Sequence, residues 1–182
     1  EKSKDSTGLI LTNNNIGMLY QKFGDLDKTK YYYFKSLELS EKINYRFGLA
    51  YSNENIGTYC MEQKIYNEAD NYFQKALEIY KEIGHKNGQS NVYNSLGKLY
   101  FILAKYNEAL NFHLSAYKLA AEASDKKAMV LSLNNLGKTY NFLGQTDRAQ
   151  QYLYIALDLL KATPLADQIK YTYAELSLSY EK

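Results

Sequence analysis

The segment Asn135-Leu136-Gly137-Lys138-Thr139-Tyr140 establishes the architecture of this chain, because four other segments repeat it in constant register. The other glycines of the series stand at positions 17, 57 and 97, so each copy lies 40 residues from the next. The other copies are Asn15-Ile16-Gly17-Met18-Leu19-Tyr20, Asn55-Ile56-Gly57-Thr58-Tyr59-Cys60, Ser95-Leu96-Gly97-Lys98-Leu99-Tyr100 and, with serine in place of glycine, Leu176-Ser177-Leu178-Ser179-Tyr180. Self-similarity at a fixed period of roughly 20 to 50 residues is the signature of a repeat protein. We therefore predict tandem copies of one structural unit.

Each copy also carries two small residues with a larger side chain between them. The small residues form two columns, Thr29, Ala69, Ala109 and Ala149, then Ser36, Ala76, Ala116 and Ala156. The larger residues between them are Tyr33, Phe73, His113 and Leu153. Apolar positions recur three and four apart in both halves of each copy, which is typical of helices. Small side chains let two helices approach and the larger one fills the gap, so each copy is predicted to be a helical hairpin.

Turn-forming residues divide the copies at regular positions. The halves are separated at Gly24, Lys64, Ala104 and Gly144, and the copies at Asn44, Gly84, Ser124 and Pro164. We predict first helices at 8–23, 48–63, 88–103, 128–143 and 167–181, and second helices at 26–43, 66–83, 106–123 and 146–162. The repeats would occupy 8–47, 48–87, 88–127 and 128–166, followed by the terminal helix 167–181. They form one domain over 1–182, which we expect to be a fragment of a larger protein.

The succession Leu-Gly-x-x-Tyr, alanine, an aromatic residue, a second alanine and Pro164 resembles the tetratricopeptide repeat over essentially the whole chain. The usual repeat has about 34 residues, whereas this one has 40, and its tryptophan column holds Asn13, Asn53, Tyr93, Leu133 and Tyr173. HEAT and armadillo repeats share the longer period but lack the Gly-x-x-Tyr register. The long form is similar to repeats of bacterial peptide-sensing regulators of the Rap and PlcR type, repeat-bearing sensor kinases and Pins-type scaffolds. The resemblance implies an all-α, right-handed superhelical solenoid of antiparallel helix hairpins.

The resemblance also implies a concave groove lined by the first helices, in which an extended peptide would bind. The positions matching that groove, and hence the predicted peptide-binding residues, are Asn14, Asn15, Gln21, Asn55, Asn94, Lys98, Asn134, Asn135 and Lys138. A carboxamide both donates and accepts hydrogen bonds, which suits a peptide backbone. Lys98 and Lys138 could hold a carboxylate as point charges, whereas Glu54 opposes one, so an EEVD-type ligand is not expected. Two simpler interpretations stay open: the asparagines bridge helices inside the stack, and the lysines are solvated surface.

Composition argues against other classes of function. The net charge of +2 supplies no basic field, so no nucleic-acid binding is expected of this segment. No apolar run approaches the roughly 20 residues that a membrane helix needs, so no membrane insertion is expected either. His85 and His113 lie far apart in the repeat, and Cys60 occupies a core column, so we predict no catalytic residue, no metal site and no cofactor. The lone cysteine favours a reducing compartment, and we expect a cytoplasmic location.

The sequence thus predicts a protein- or peptide-binding scaffold, the sensory or regulatory module of a larger signalling protein, and not an enzyme. The alternative is a structural self-association module without a peptide ligand. It rests on the fifth first helix, which carries an apolar face and has no second helix after it in this sequence. An exposed apolar face favours a homo-oligomer through the terminal helix.

Overall fold

The computed structural model describes residues 2–162 and 165–180, with side chains from residue 6 onward. Within these ranges the chain forms helices and no strand, which confirms the all-α class. The helices are α1 (Lys2–Phe23), α2 (Leu26–Lys42), α3 (Arg46–Glu62), α4 (Tyr66–Glu82), α5 (Lys86–Ile102), α6 (Tyr106–Glu122), α7 (Lys126–Phe142), α8 (Thr146–Ala162) and α9 (Ala166–Tyr180). The predicted turn at Pro164 and the predicted last helical residue, 181, lie outside the described residues.

Helices α2 to α9 begin and end within two residues of the predicted bounds, as far as the described residues extend. The start of α1 was predicted wrongly: the helix begins at residue 2 and not near residue 8. Residues 2–7 contain no proline or glycine that would end a helix. Gly8 lies inside α1 and does not interrupt it, because a single glycine only weakens a helix by about 1 kcal/mol.

Each described turn between helices α1 to α8 contains one residue in the left-handed region of backbone space. Glycine fills this position three times, at Gly24, Gly84 and Gly144, and the other four are Asn44, Lys64, Ala104 and Ser124. At the first turn the amide of Gly24 donates to the carbonyl of Gln21 at 3.1 Å, and that of Asp25 donates to the carbonyl of Tyr20 at 3.0 Å. Such bonds satisfy carbonyls that a helix end leaves free. The predicted turn positions between these helices are therefore confirmed.

The chain divides into two compact units, Glu1–Gly88 and Gln89–Lys182. In the N-terminal unit, α1 pairs with α2 and α3 with α4, while α3 also packs against α1 and α2. In the C-terminal unit, α7 packs against α6, α8 and α9, and α8 packs against α9. In both units, then, first helices pack beside first helices and each is backed by a second helix.

The glycines of the repeated motif lie where the first helix of a hairpin contacts a large side chain of its second helix. Gly57 on α3 faces the ring of Phe73 on α4, and a Cβ atom at this glycine would lie 2.7 Å from two ring carbons. Gly137 faces Leu153 on α8 in the same way. Because each larger residue rests directly on a glycine, the predicted packing of large side chains against small ones is confirmed.

Candidate peptide-binding surfaces

Three of the predicted asparagines lie in the interior. Asn14, Asn94 and Asn134 are 0%, 2% and 1% exposed. Each bonds to a hydroxyl group on the next first helix of its own unit. These bonds run from Asn14 Nδ2 to Ser52 Oγ (3.1 Å), from Asn94 Nδ2 to Ser132 Oγ (2.8 Å) and from Thr172 Oγ1 to Asn134 Oδ1 (2.8 Å). This is the bridging arrangement that the sequence left open, and it removes these three side chains from any surface on which a ligand could lie.

The neighbouring asparagine column lies nearer the surface and joins the same network. Asn55 Nδ2 donates to Asn14 Oδ1 at 3.1 Å, and Asn135 Nδ2 donates to Asn94 Oδ1 at 3.4 Å. Asn15, at the N-terminal end of the column, is exposed. We call the bonded asparagines and hydroxyls of each unit its asparagine ladder. Of the predicted asparagines only Asn15 is exposed, since Asn55 and Asn135 are buried at 9% and 8% exposure.

The hydroxyl partners of the ladder were not predicted. Ser52, Ser132 and Thr172 each stand 38 residues after their asparagine, so the 40-residue period could have revealed them. The pairing of the second repeat with the third departs from this pattern at both positions: Glu54 of the second repeat replaces the asparagine, and Val92 of the third replaces the hydroxyl. A buried asparagine without such a hydroxyl would lack a hydrogen-bond partner and would cost free energy, so a change of both positions together is less costly than a change of one.

Gln21, the remaining predicted residue of the N-terminal unit, already uses both ends of its side chain. Its nitrogen donates to Glu62 Oε2 at 2.6 Å, and its oxygen accepts from the hydroxyl of Tyr33 at 2.5 Å. Beside it the hydroxyl of Tyr51 donates to Met18 Sδ at 3.4 Å. Burial raises the pKa of Tyr33, and the charge of Glu62 adds to this effect. This face of α1 and α3 therefore carries phenols, amides and carboxylates.

Glu54 lies on the same face of the N-terminal unit and is partly exposed. The hydroxyl of Tyr80 on α4 donates to Glu54 Oε2 at 2.9 Å. Loss of water around the carboxyl raises the pKa of Glu54 to about 7, although the bond from Tyr80 acts in the opposite direction. Among the side chains that the structure describes, no basic group forms an ion pair with this carboxyl.

The corresponding face of the C-terminal unit carries Lys98 on α5 and Lys138 on α7, both exposed. Partial desolvation of the Lys98 ammonium lowers its pKa, and the nearby charge of Lys138 lowers it further. Within residues 2–162 and 165–180, neither lysine forms an ion pair with a carboxylate. We refer to these two residues as the lysine pair.

Aromatic side chains adjoin the lysine pair. The ammonium of Lys138 lies 5.1 Å from the ring centre of Phe101, a cation–π distance. Phe101 in turn contacts Phe142 edge to face, with 5.4 Å between the ring centres, and Phe142 is exposed. The predicted binding residues of this unit that remain at the surface thus combine positive charge with an accessible apolar patch.

The structure shows how the histidine and cysteine that sequence inspection set aside are held. His113 is buried on α6, 3.3 Å from Asn94 Oδ1, and burial lowers its pKa to about 3, helped by the charges of the lysine pair. Burial raises the pKa of the Cys60 thiol to about 11, so the thiol stays protonated at neutral pH. In the part of the chain that the structure describes, no three His, Cys, Asp or Glu side chains group to hold a metal. None of the helices it describes is long and apolar enough to cross a bilayer.

Hairpins of about 40 residues, glycine-to-aromatic packing and turns closed by left-handed residues define a class of proteins built from tandem helical repeats. The sequence model of the tetratricopeptide repeat matches residues 8–82, 47–122 and 88–162. The chain belongs to the tetratricopeptide-repeat family, as its motifs predicted.

Solved structures share this fold at low sequence identity. The chain is similar to aspartyl phosphate phosphatase F from Bacillus subtilis, with a TM-score of 0.88 and 15% identity over 93% of this chain and 45% of that one. It is similar to RapI in its apo form, with a TM-score of 0.83 and 17% identity over 94% and 63% of the two chains. It is also similar to a signal-transduction ATPase with a tetratricopeptide-repeat sensor from Pyrococcus horikoshii, with a TM-score of 0.81 and 23% identity over 94% and 27%. The predicted similarity to Rap-type repeats is confirmed at the level of the fold.

The chain spans less than two thirds of the length of each of these three proteins. No curated protein sequence matches it. The repeat fold itself is typical of protein–protein interaction and regulatory modules and is generally a non-catalytic scaffold.

Proposed function

We propose that this chain is the binding module of a larger signalling protein and that its C-terminal unit holds an acidic group of an extended peptide at the lysine pair. The observation that carries the proposal is the unpaired state of Lys98 and Lys138, one repeat apart on adjacent first helices. Two ammonium groups that interact without a counter-charge repel each other; partial desolvation lowers the pKa of Lys98 most, and the charge of Lys138 lowers it further. A carboxylate between them would relieve the repulsion and form charge-assisted hydrogen bonds.

The surroundings of the lysine pair suit a peptide better than a free ion. Phe101 and the exposed Phe142 offer an apolar surface beside the charges, on which a neighbouring side chain of the ligand could pack. Asn135, on the same helix as Lys138, is buried and bonded to Asn94, so the ligand would be held at this surface by the lysines and the aromatic rings. A ligand that places an acidic residue next to an apolar one therefore matches this surface. We expect the protein to lie in the cytoplasm.

The lysine pair can be tested with an array of hexapeptides in which each acidic sequence is paired with its neutral amide counterpart. We expect the acidic members to bind selectively, and Lys98→Met and Lys138→Met each to weaken that binding about tenfold. Methionine keeps an unbranched side chain of nearly the same length and removes the charged ammonium group. Lys118→Met, an exposed lysine on the second helix α6, is the matched control and should leave binding unchanged. Equal binding of acidic and neutral peptides, or full binding by the double variant, would contradict the proposal.

Self-association is a second candidate, favoured by the exposed apolar face of α9. Tyr173 and Tyr180, two turns apart on α9, are 60% and 64% exposed, and the hydroxyl of Tyr180 meets that of Tyr154 at 2.6 Å. If this face joins two copies, the mass from sedimentation should rise above 21.0 kDa with concentration. Tyr173→Glu combined with Tyr180→Glu should restore the mass of one chain, because two buried charges oppose the contact. A mass that stays constant at every concentration would exclude this candidate.

A further inference from the structure

We propose that the N-terminal unit carries a separate binding site for an organic cation, the guanidinium or ammonium group of a peptide ligand, formed by Glu54 with the phenols of Tyr51 and Tyr80. We call these three residues the Glu54 site. This site rests on the proposed function in one respect, namely that the ligand is a peptide. It contains no residue of the C-terminal unit.

The position of Glu54 in the repeat is the first observation. It stands in the column of Asn14, Asn94 and Asn134, whose side chains are buried and bonded across the stack. Glu54 is instead partly exposed, and its hydrogen bond is to Tyr80 in its own hairpin. Glu54 is thus the one acidic residue of the column, and no hydroxyl stands at the position that matches the partners of the asparagines. Unlike the asparagines, Glu54 keeps part of its surface accessible.

The charge around Glu54 is the second observation. No basic side chain of the described residues pairs with it, and Arg46, at the start of the same helix, is bonded to Glu82. The negative charge of Glu54 raises the pKa of both Tyr51 and Tyr80, which adds to the effect of burial on these phenols. A desolvated carboxylate without a counter-ion is unfavourable, and an external cation would supply that counter-ion through charge-assisted hydrogen bonds.

The aromatic rings indicate the kind of cation. Tyr51 stacks on Phe47 with 6.0 Å between ring centres, and Phe47 meets Tyr80 at 6.1 Å. Tyr80 is buried and stacked with His85, and it contributes the hydroxyl that bonds Glu54, whereas the rings of Tyr51 and Phe47 are partly exposed. Guanidinium and ammonium groups bind both to carboxylates and to aromatic faces. A metal ion would need several oxygen or nitrogen ligands, and no metal-binding group of side chains occurs among the described residues. The combination therefore fits an organic cation.

The test compares N-acetyl-arginine amide with N-acetyl-citrulline amide, which has nearly the same shape and no charge, on the whole chain carrying 13C-labelled glutamate carboxyls. We expect the arginine probe to shift the Glu54 carboxyl resonance and to lower the pKa of Glu54 by about one unit, since a bound cation favours the ionised form. The citrulline probe should do neither. Glu54→Gln should weaken binding of the arginine probe at least tenfold, whereas Glu62→Gln, which neutralises an exposed carboxylate on the same helix, should not.

Equal binding of the two probes to the unaltered chain would overturn the proposal even if a variant failed to fold. Full binding of the arginine probe by a folded Glu54→Gln variant would overturn it as well. The variant with both Lys98→Met and Lys138→Met should bind the arginine probe as the unaltered chain does. The two proposals can therefore be contradicted independently. Failure to select acidic peptides would contradict only the proposal for the lysine pair, and equal binding of the arginine and citrulline probes would contradict only the proposal for the Glu54 site.

Discussion

Phe73→Ala should lower the free energy of unfolding by about 4 kcal/mol, because it removes a large, fully buried side chain and leaves a cavity. The ring rests on Gly57, which has no side chain that could move into the space. Chemical denaturation followed by circular dichroism measures the change. Phe23→Ala, at a ring that is 75% exposed, is the control and should cost less than about 0.5 kcal/mol.

The same contact can be tested from its other side. Gly57→Ala introduces a Cβ atom 2.7 Å from the Phe73 ring, so overpacking should outweigh the better helix propensity of alanine and cost about 1–2 kcal/mol. Combined with Phe73→Ala, the glycine substitution should cost less than it does alone, since the missing ring leaves room for the methyl group. Additive effects would mean that the two residues do not meet as described.

Asn14→Ala should lower the free energy of unfolding by about 2–3 kcal/mol, since it leaves several buried polar groups without a partner. Asn14 Nδ2 donates to Ser36 Oγ at 2.7 Å and to Ser52 Oγ at 3.1 Å, and its oxygen accepts from Asn55. Asn15→Ala is a closely matched control, because it removes the same carboxamide one residue later, at an exposed position. It should change the stability by less than about 0.5 kcal/mol.

The measurement for both asparagine variants is again chemical denaturation, with the two curves compared under the same conditions. A similar small effect for both would show that the asparagine ladder contributes little to stability. It would also return Asn14 to the set of residues available for a ligand. A large effect for Asn14→Ala alone supports the internal role that its bonds indicate.

Much of the fold could be predicted because the repeat supplies its own alignment. Five copies in one register locate the helices, and the glycine and large-residue columns identify which faces meet, as at Gly57 and Phe73. The early start of α1 could not be predicted, since the 40-residue register places the start of the first helix at residue 8 by its correspondence with residue 48 near the start of α3.

The candidate site was harder to predict because periodicity indicates on which face of a helix a side chain lies but not how deeply that side chain is buried. Asn14 and Asn15 are adjacent and identical in type, yet one is buried and the other exposed. The difference depends on how closely the neighbouring helix approaches, which small side chains such as Ser52 permit. The charge state of Glu54 was equally out of reach, since it depends on how much water the folded chain removes from around the carboxyl.

The asparagine ladder also constrains how the repeats can be rearranged. A repeat that carries the buried asparagine must be followed by a segment that carries a hydroxyl at the matching position. Ser52 follows the first repeat in this way, Ser132 follows the third and Thr172 follows the fourth. The second repeat offers Glu54 and is followed by Val92. Duplicating the fourth repeat in tandem would keep every pair matched, because it carries both Asn134 and Ser132. If the third repeat directly followed the first, the asparagine of the first repeat would be matched with the valine of the third and would lack a hydroxyl partner. Gene duplication can therefore extend this array more easily than recombination can change the order of its repeats.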